Sequence, residues 1–291
     1  MTDVSIHNYR PEVVGKEVVA SQIGVVDRPL GTWERISGIG WVRKTVLLVL
    51  IGLVWEIYAR YLNNDLLVPT LTQTFFALAE SLGTGEMLKA IGYTLKLLIQ
   101  GYFYGLVLAI LFTIFASATR IGGDLLETLT SMFNPLPSIA LLPLSMIWFG
   151  LGDMSVIFVL IHAVLWSVAL NTYTGFRSVS PTWRMVGQNY GLTGPGLVMR
   201  VLIPGAFPHI LAGLKIGWAF AWRTVIAAEL VFGSSSGKGG VGWYIYQNKN
   251  LLETPHVFAG LLTVILFGFF VENIVFRTVE RRTVVRWGMQ T

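Results

Sequence analysis

The sequence predicts an all-α, polytopic membrane protein with six transmembrane helices. Composition is the first observation behind this: of 291 residues, 54% are hydrophobic and only 13% charged, where a soluble domain carries about 25% charged residues. The second is a mean hydropathy of +0.64. The third is a series of long apolar runs, each near the ~20 residues a helix needs to cross the hydrocarbon. Cysteine is absent, which excludes disulfides, thiol nucleophiles and cysteine metal sites. The first ~40 residues are polar and mixed in charge, so no secretory signal is expected to open the chain. A net charge of +5 spread this way is not the uniform basic surface of a nucleic-acid binder.

Taken in order, the apolar runs lie at residues 45–61 (TVLLVLIGLVWEIYARY), 93–116, 135–151 (PLPSIALLPLSMIWFGL), 155–174, 206–232 and 257–276 (VFAGLLTVILFGFFVENIVF). Pro135, Pro137 and Pro143 each remove a helix donor, so the third span is expected to be bent or partly unwound. Between the first two spans, residues 66–92 read as an outer amphipathic helix, with Leu66, Phe75, Phe76, Leu78 and Leu82 on its apolar side.

Lysines and arginines orient the chain. Arg10, Lys16, Arg28, Arg35, Arg43 and Lys44 precede the first span. Arg120, then Arg177, Arg184 and Arg200, then Arg277, Arg281, Arg282 and Arg286 fall on the same side. Only Arg60, Lys89, Lys238 and Lys249 fall on the other. Both termini are therefore expected in the cytoplasm. Residues 1–44 read as an N-terminal extension, with Trp33 and Trp41 among basic residues suited to the inner membrane surface. Residues 45–278 form the transmembrane domain, and 279–291 the tail.

The stretch FGSSSGKGGVG at 232–242 resembles a phosphate-binding loop and fails its pattern. G-x-x-x-x-G-K-[ST] follows a strand and opens a helix. Here Gly233 and Gly237 stand one residue too close, Gly239 occupies the hydroxyl position after Lys238, and a long apolar run precedes the loop. Topology also places it outside, away from ATP. It reads as a flexible outer connection.

The loop between the fourth and fifth spans carries more information. In residues 179–205, Trp183, Val186, Tyr190, Leu197, Val201 and Leu202 recur at roughly helical spacing, broken by GLTGPG. That pattern predicts two short amphipathic helices joined by a glycine turn. The pair wants a covering surface, either a protein partner or the lipid interface. Pro204 and Pro208 are expected to end the second helix.

This loop resembles the cytoplasmic signature of bacterial ABC importer permeases, E-A-A, three residues, G, nine residues, then I-x-L-P. Gly191 matches the central glycine, and Val201, Ile203 and Pro204 fall at the I, L and P positions. Met185, Val186 and Gly187 stand in the E-A-A places, so the glutamate is absent. NPLPSIALLPLSMIWFGLGDMS and GLKIGWAFAWRTVIAAEL resemble spans of permeases in the nitrate, sulfonate, taurine and bicarbonate branch. The likeness covers about residues 66–282. It implies a type I ABC importer permease working as a dimer, with a second copy of the chain expected. Two separate cytoplasmic ATPase subunits would supply ATP and Mg, no cofactor being expected in this chain. A periplasmic or lipid-anchored substrate-binding protein would deliver a small anion: a sulfonate such as taurine, nitrate, bicarbonate or an aromatic carboxylate. Gly187, Gln188, Tyr190, Gly191, Leu192, Thr193, Arg200 and Pro204 would form the coupling site. An ion-gradient transporter and a non-transporting scaffold are the competing readings; no clear internal repeat supports the former.

Ionisable residues within spans are costly and mark function. Lys215 sits where it can snorkel. Arg223, beside Trp222, could attract an anion, or pair with Glu229 or with an acidic group elsewhere; Glu229 reads as shaping the outer end of a pathway. Glu56 and Glu272 read as packing residues. Ser138 and Ser145 are candidates to line the pathway, and Met146, Trp148 and Phe149 to constrict it; ordinary packing of a kinked helix explains them equally. His162, His209 and His256 read as isolated, without a metal or proton-relay role. No catalytic cluster is expected.

Overall fold

In a computed structural model of the chain, residues 38–232 and 239–289 are described. Among them the regular elements are helices: α1 (Gly40–Leu62), α2 (Leu71–Gly83), α3 (Glu86–Ala118), α4 (Arg120–Phe133), α5 (Leu142–Phe149), α6 (Asp153–Ser178), α7 (Pro181–Asn189), α8 (Gly194–Val231), α9 (Val241–Asn250) and α10 (Thr254–Val285). A 3-10 turn, Ser138–Leu141, precedes α5. The described residues divide into two units between Val54 and Trp55. In the first, the opening turns of α1 leave Val46, Leu48, Ile51 and Val54 exposed, as a lipid-facing helix does.

Helices α1, α3, α6, α8 and α10 are long and apolar enough to cross a membrane. The third expected span is the exception. Residues 135–151 do not make one helix: α4 and the segment Ser138–Phe149 meet at 88° and count at most as one broken span. The cause is local. Pro135 and Pro137 cannot donate and restrict the residues before them, so the chain turns at 134–137. Pro143 is harmless, because it sits at the start of α5 where no helical donor is needed. Residues 66–92 also differ from the expected single amphipathic helix. The capping box of Thr70 and Gln73 starts α2, which stops at Gly83, and α3 begins at Glu86 rather than Tyr93.

Helix α6 is the centre of the second unit, packed between α3 and α8. Glycines let the backbones close. A Cβ on Gly101 would lie 2.4 Å from Leu160, and one on Gly105 2.7 Å from Val164. On the other side, a Cβ on Gly213 would meet Asn171 at 2.8 Å and one on Gly217 would meet Val168 at 3.0 Å. Each pair is a G-x-x-x-G repeat, the small-residue spacing that brings membrane helices together.

The second loop helix does not end at Pro204 or Pro208, as the sequence suggested. It runs on as α8. A π turn at Val198–Leu202 widens the helix just before Pro204, and the Ile203 amide bonds back to the Val198 carbonyl. Such a widened turn accommodates a proline that a regular helix would expel.

Candidate functional site

Three regions of the second unit gather the residues singled out by sequence. The first is the loop around Gly191. Ser180 caps α7 by accepting from the Thr182 amide at 3.3 Å. At its other end the Gly191 amide donates to the Gln188 carbonyl (2.8 Å) and the Leu192 amide to the Gly187 carbonyl (3.0 Å). With Gly191 at φ +76°, this is a Schellman ending, which needs a residue at ease in the left-handed region. Gly187 is buried, and a Cβ there would lie 2.8 Å from Leu197 and 2.9 Å from Val201, so α7 lies directly on the first turns of α8. Arg184 donates to the Phe176 carbonyl, tying α7 to the end of α6. The corner is therefore rigid, and its outer side carries exposed Trp183, Met185, Val186, Tyr190 and Met199. Gln188, Thr193 and Arg200 are exposed and Leu192 half-buried. Pro204 lies within α8, past the corner.

The second region is at the opposite end of α6. Glu229 is only 4% exposed. Its carboxylate accepts from the Thr94 hydroxyl (2.8 and 2.9 Å) and from the Gly242 amide (2.9 Å). Thr94 Oγ1 in turn accepts from the Val241 amide at 2.9 Å. Glycine is required at 242, where a Cβ would lie 2.5 Å from the Ile226 carbonyl. The last glycines of FGSSSGKGGVG are thus explained by close packing on α8; Gly233–Lys238 lie outside the described residues. Next to this clasp, Ser81 and the Tyr244 hydroxyl are 2.6 Å apart. Burial pushes the Tyr244 phenol up to about 12, so it stays protonated. A cavity of about 700 Å³ opens here, lined among others by Lys89, Tyr93, Lys96, Trp243 and Gln247. Lys96 and Tyr93 both reach Asp153, at 3.4 and 2.5 Å.

The third region lies between the proline break and α8, where a cavity of about 280 Å³ is lined by Asn134, Ser138, Arg223 and Thr224 with apolar neighbours. The alternative of an Arg223–Glu229 pair is not realised: Glu229 is occupied as above, and no carboxylate comes within 4.0 Å of Arg223 among the described residues. Ser138 Oγ is 3.2 Å from His162 Nδ1, so His162 is not isolated. Neither is His256, which faces Glu80 and Glu253 at 3.8 and 3.6 Å. Ser145 is fully buried and donates to the Leu142 carbonyl, so it does not line the cavity. Trp222 turns the other way and packs on Phe267 at 4.9 Å. Met146 is half-buried, while Trp148 and Phe149 are exposed and pack on Phe158. Of the remaining charges, Lys215 bonds Glu280 at 2.7 Å rather than standing alone. Glu56 accepts from Arg60 and from Thr72 at the start of α2.

These features define a polytopic membrane protein, all-helical among the described residues, with a rigid loop corner at one end and a closed glycine clasp at the other. Residues 105–285 match the model of the binding-protein-dependent transport system inner membrane component, and the chain belongs to that family. It is similar to a protein of Methanocaldococcus jannaschii provisionally assigned as an ABC transporter permease, with 31% identity over 80% of this chain and 87% of the relative. The taurine transport system permease protein TauC of Escherichia coli K12 is 32% identical over 54% of this chain and 56% of its own. The nitrate import permease protein NrtB of Synechocystis is 24% identical over 80% and 86%. The chain is the permease subunit of an ABC importer and a multi-pass protein of the inner membrane. The ion-gradient and scaffold readings are not favoured.

Proposed function

We propose that this permease moves a small anion and is driven by separate ATPase subunits that seat on the Gly191 corner. The observation that carries the reading is the corner itself. Its backbone is fixed by the Schellman ending and by the Gly187 contact, yet Trp183, Met185, Tyr190 and Met199 stand exposed on it. A rigid helix pair with an apolar outer side is suited to sit in a partner's groove and to move as one body when that partner closes. α7 joins the end of α6 and α8 continues from the corner without a stop. Motion there passes directly into two of the membrane helices.

Under this reading the loop end faces the cytoplasm, as the lysine and arginine bias favours. The Glu229 clasp then faces outward, where a substrate-binding protein would dock. The nitrate relative supports an anion as substrate, and the taurine relative a negatively charged sulfonate group. A second copy of the chain would complete the pathway, since Arg223 stands exposed on α8 and a charge at that depth is not left to lipid. Gln188, Leu192, Thr193, Arg200 and Pro204 complete the proposed coupling site, with ATP and Mg bound on the partner.

The test is co-purification from membranes with the candidate ATPase. Tyr190→Asp and Met199→Asp are expected to release the ATPase while the permease stays folded in the membrane. Retention of the ATPase by both variants refutes the assignment of the corner.

A further inference from the structure

We propose that the cavity between the proline break and α8 is an anion site of the permease itself, with Arg223 as its cation and the Ser138 hydroxyl, set by His162, as its donor. The inference rests on the permease reading above and adds a binding step within the membrane. Three observations carry it. First, the lining holds Arg223, Asn134, Ser138 and Thr224 but no carboxylate. The site is positive and has donors. Second, Arg223 has no acidic partner within 4.0 Å among the described residues, whereas Arg60, Lys96 and Lys215, the other lysine or arginine side chains set within the sequence-defined spans, are each paired. An unpaired guanidinium in a span is costly unless a ligand or water satisfies it. Third, at about 280 Å³ the cavity suits an anion of a few heavy atoms.

His162 gives the site its polarity. Its Nδ1 lies 3.2 Å from Ser138 Oγ. Its ring lies edge-on to Phe133 and Trp166, and its Nε2 has no hydrogen-bond partner among the described residues. A neutral imidazole carries one proton. With that proton on Nδ1, His162 donates to Ser138 and leaves the hydroxyl proton to point at the anion. With it on Nε2, Ser138 spends its proton on the ring and turns lone pairs to the cavity. An anion therefore selects the first tautomer, and His162 acts as a positioning residue without touching the ligand. The proline break supplies the geometry: it swings Ser138 out of line with α4 so that its side chain faces both His162 and the cavity.

The test uses the intact permease–ATPase complex in lipid nanodiscs and phenylglyoxal, which modifies accessible arginines. Modification of Arg223 is followed by mass spectrometry with methanesulfonate, nitrate, or dimethyl sulfone, a neutral compound of similar shape. Methanesulfonate or nitrate at about ten times its dissociation constant is expected to slow modification at Arg223 by about tenfold, because only the unoccupied site reacts, and dimethyl sulfone is expected to leave it unchanged. Ser138→Ala and His162→Phe should weaken the protection severalfold. His162→Asn, which can again donate to Ser138, should restore it. Equal modification with and without either anion overturns the proposal. So does an Arg223 that becomes reactive only when the complex is dissociated, because its partner is then a protein group. So does full protection in His162→Phe, for the role of His162. ATP hydrolysis and ATPase retention are measured on the same samples. Their loss in the unmodified complex counts against the permease coupling, while their presence with no anion protection counts against this site alone.

Discussion

Replacing Glu229 with glutamine keeps the shape of the side chain and changes one acceptor into a donor. In the native clasp the carboxylate takes the Thr94 hydroxyl proton and the Gly242 amide, and Thr94 takes the Val241 amide. A glutamine cannot satisfy this set. If its oxygen faces Thr94, its NH2 meets the Gly242 amide, donor against donor. If its oxygen takes the Oε2 place it keeps both the Gly242 amide and the Thr94 proton, at 2.9 Å each. Its NH2 is then left against the Thr94 oxygen, which already donates to that same side-chain oxygen and accepts from Val241, without a well-aligned acceptor. Either way one buried donor is orphaned at ~1–3 kcal/mol. For a chain of this size that lowers the apparent melting midpoint by roughly 2–12 °C, at ~2–4 °C per kcal/mol. Thr94→Val takes one donor from the carboxylate, leaving it the Gly242 amide alone, and orphans the Val241 amide, so it should cost more, while Thr94→Ser should stay near native. The assay is fluorescence-detected size exclusion after heating in detergent, at a fixed heating rate because unfolding is irreversible. Midpoints for Glu229→Gln and Thr94→Val within a degree of the native protein would refute the reasoning that this clasp closes the end of α8.

Other expectations follow from the same geometry. Gly191→Ala places a side chain at φ +76° and should cost ~1–2 kcal/mol at the loop corner, with Gly191→Asn milder; the ratio of ATP hydrolysed to substrate moved in proteoliposomes reads the effect. Gly187→Val must displace Leu197 and Val201 and should reduce ATPase co-purification more than Gly191→Asn does. A double-mutant cycle on Lys215→Met and Glu280→Gln should give a coupling of about 0.5–1 kcal/mol, since the pair is only partly shielded; zero coupling would make it a surface contact without consequence. Tyr244→Phe removes the hydrogen bond to Ser81 and should lower the melting midpoint by a few degrees, on the order of 1 kcal/mol.

Apolar length makes the long helices legible, and the spacing from Met185 to Pro204 marks the loop corner. Residues off that scale were harder. Helix α4 is too polar in Arg120, Asp124 and Glu127 to register as a span, though Thr119 capping Gly122 and the apolar period of Leu125, Leu126 and Leu129 were signals for it. Prolines located the break but not its size, because Pro143 reads the same as Pro135 until the start of α5 is known. The glycine repeats at 101/105 and 213/217 are legible in the sequence, and their spacing alone points to close helix contacts. The Glu229 clasp was not legible. Thr94 is 135 residues away, and only the fold brings α3 against α8. In sequence Arg223 can be matched to an anion, to Glu229 or to another acidic group; the clasp occupies Glu229, and no other carboxylate lies within 4.0 Å among the described residues.

The most direct test of the central claim is ATP-driven uptake by proteoliposomes containing this permease, its ATPase and its binding protein, with the native corner and with Tyr190→Asp. The account predicts anion accumulation that requires ATP in the native complex. In the variant, accumulation is lost because the ATPase no longer stays bound, while the permease keeps its native melting midpoint. ATP-dependent uptake at the native rate with Tyr190→Asp, or native uptake that continues without any ATPase, would contradict it.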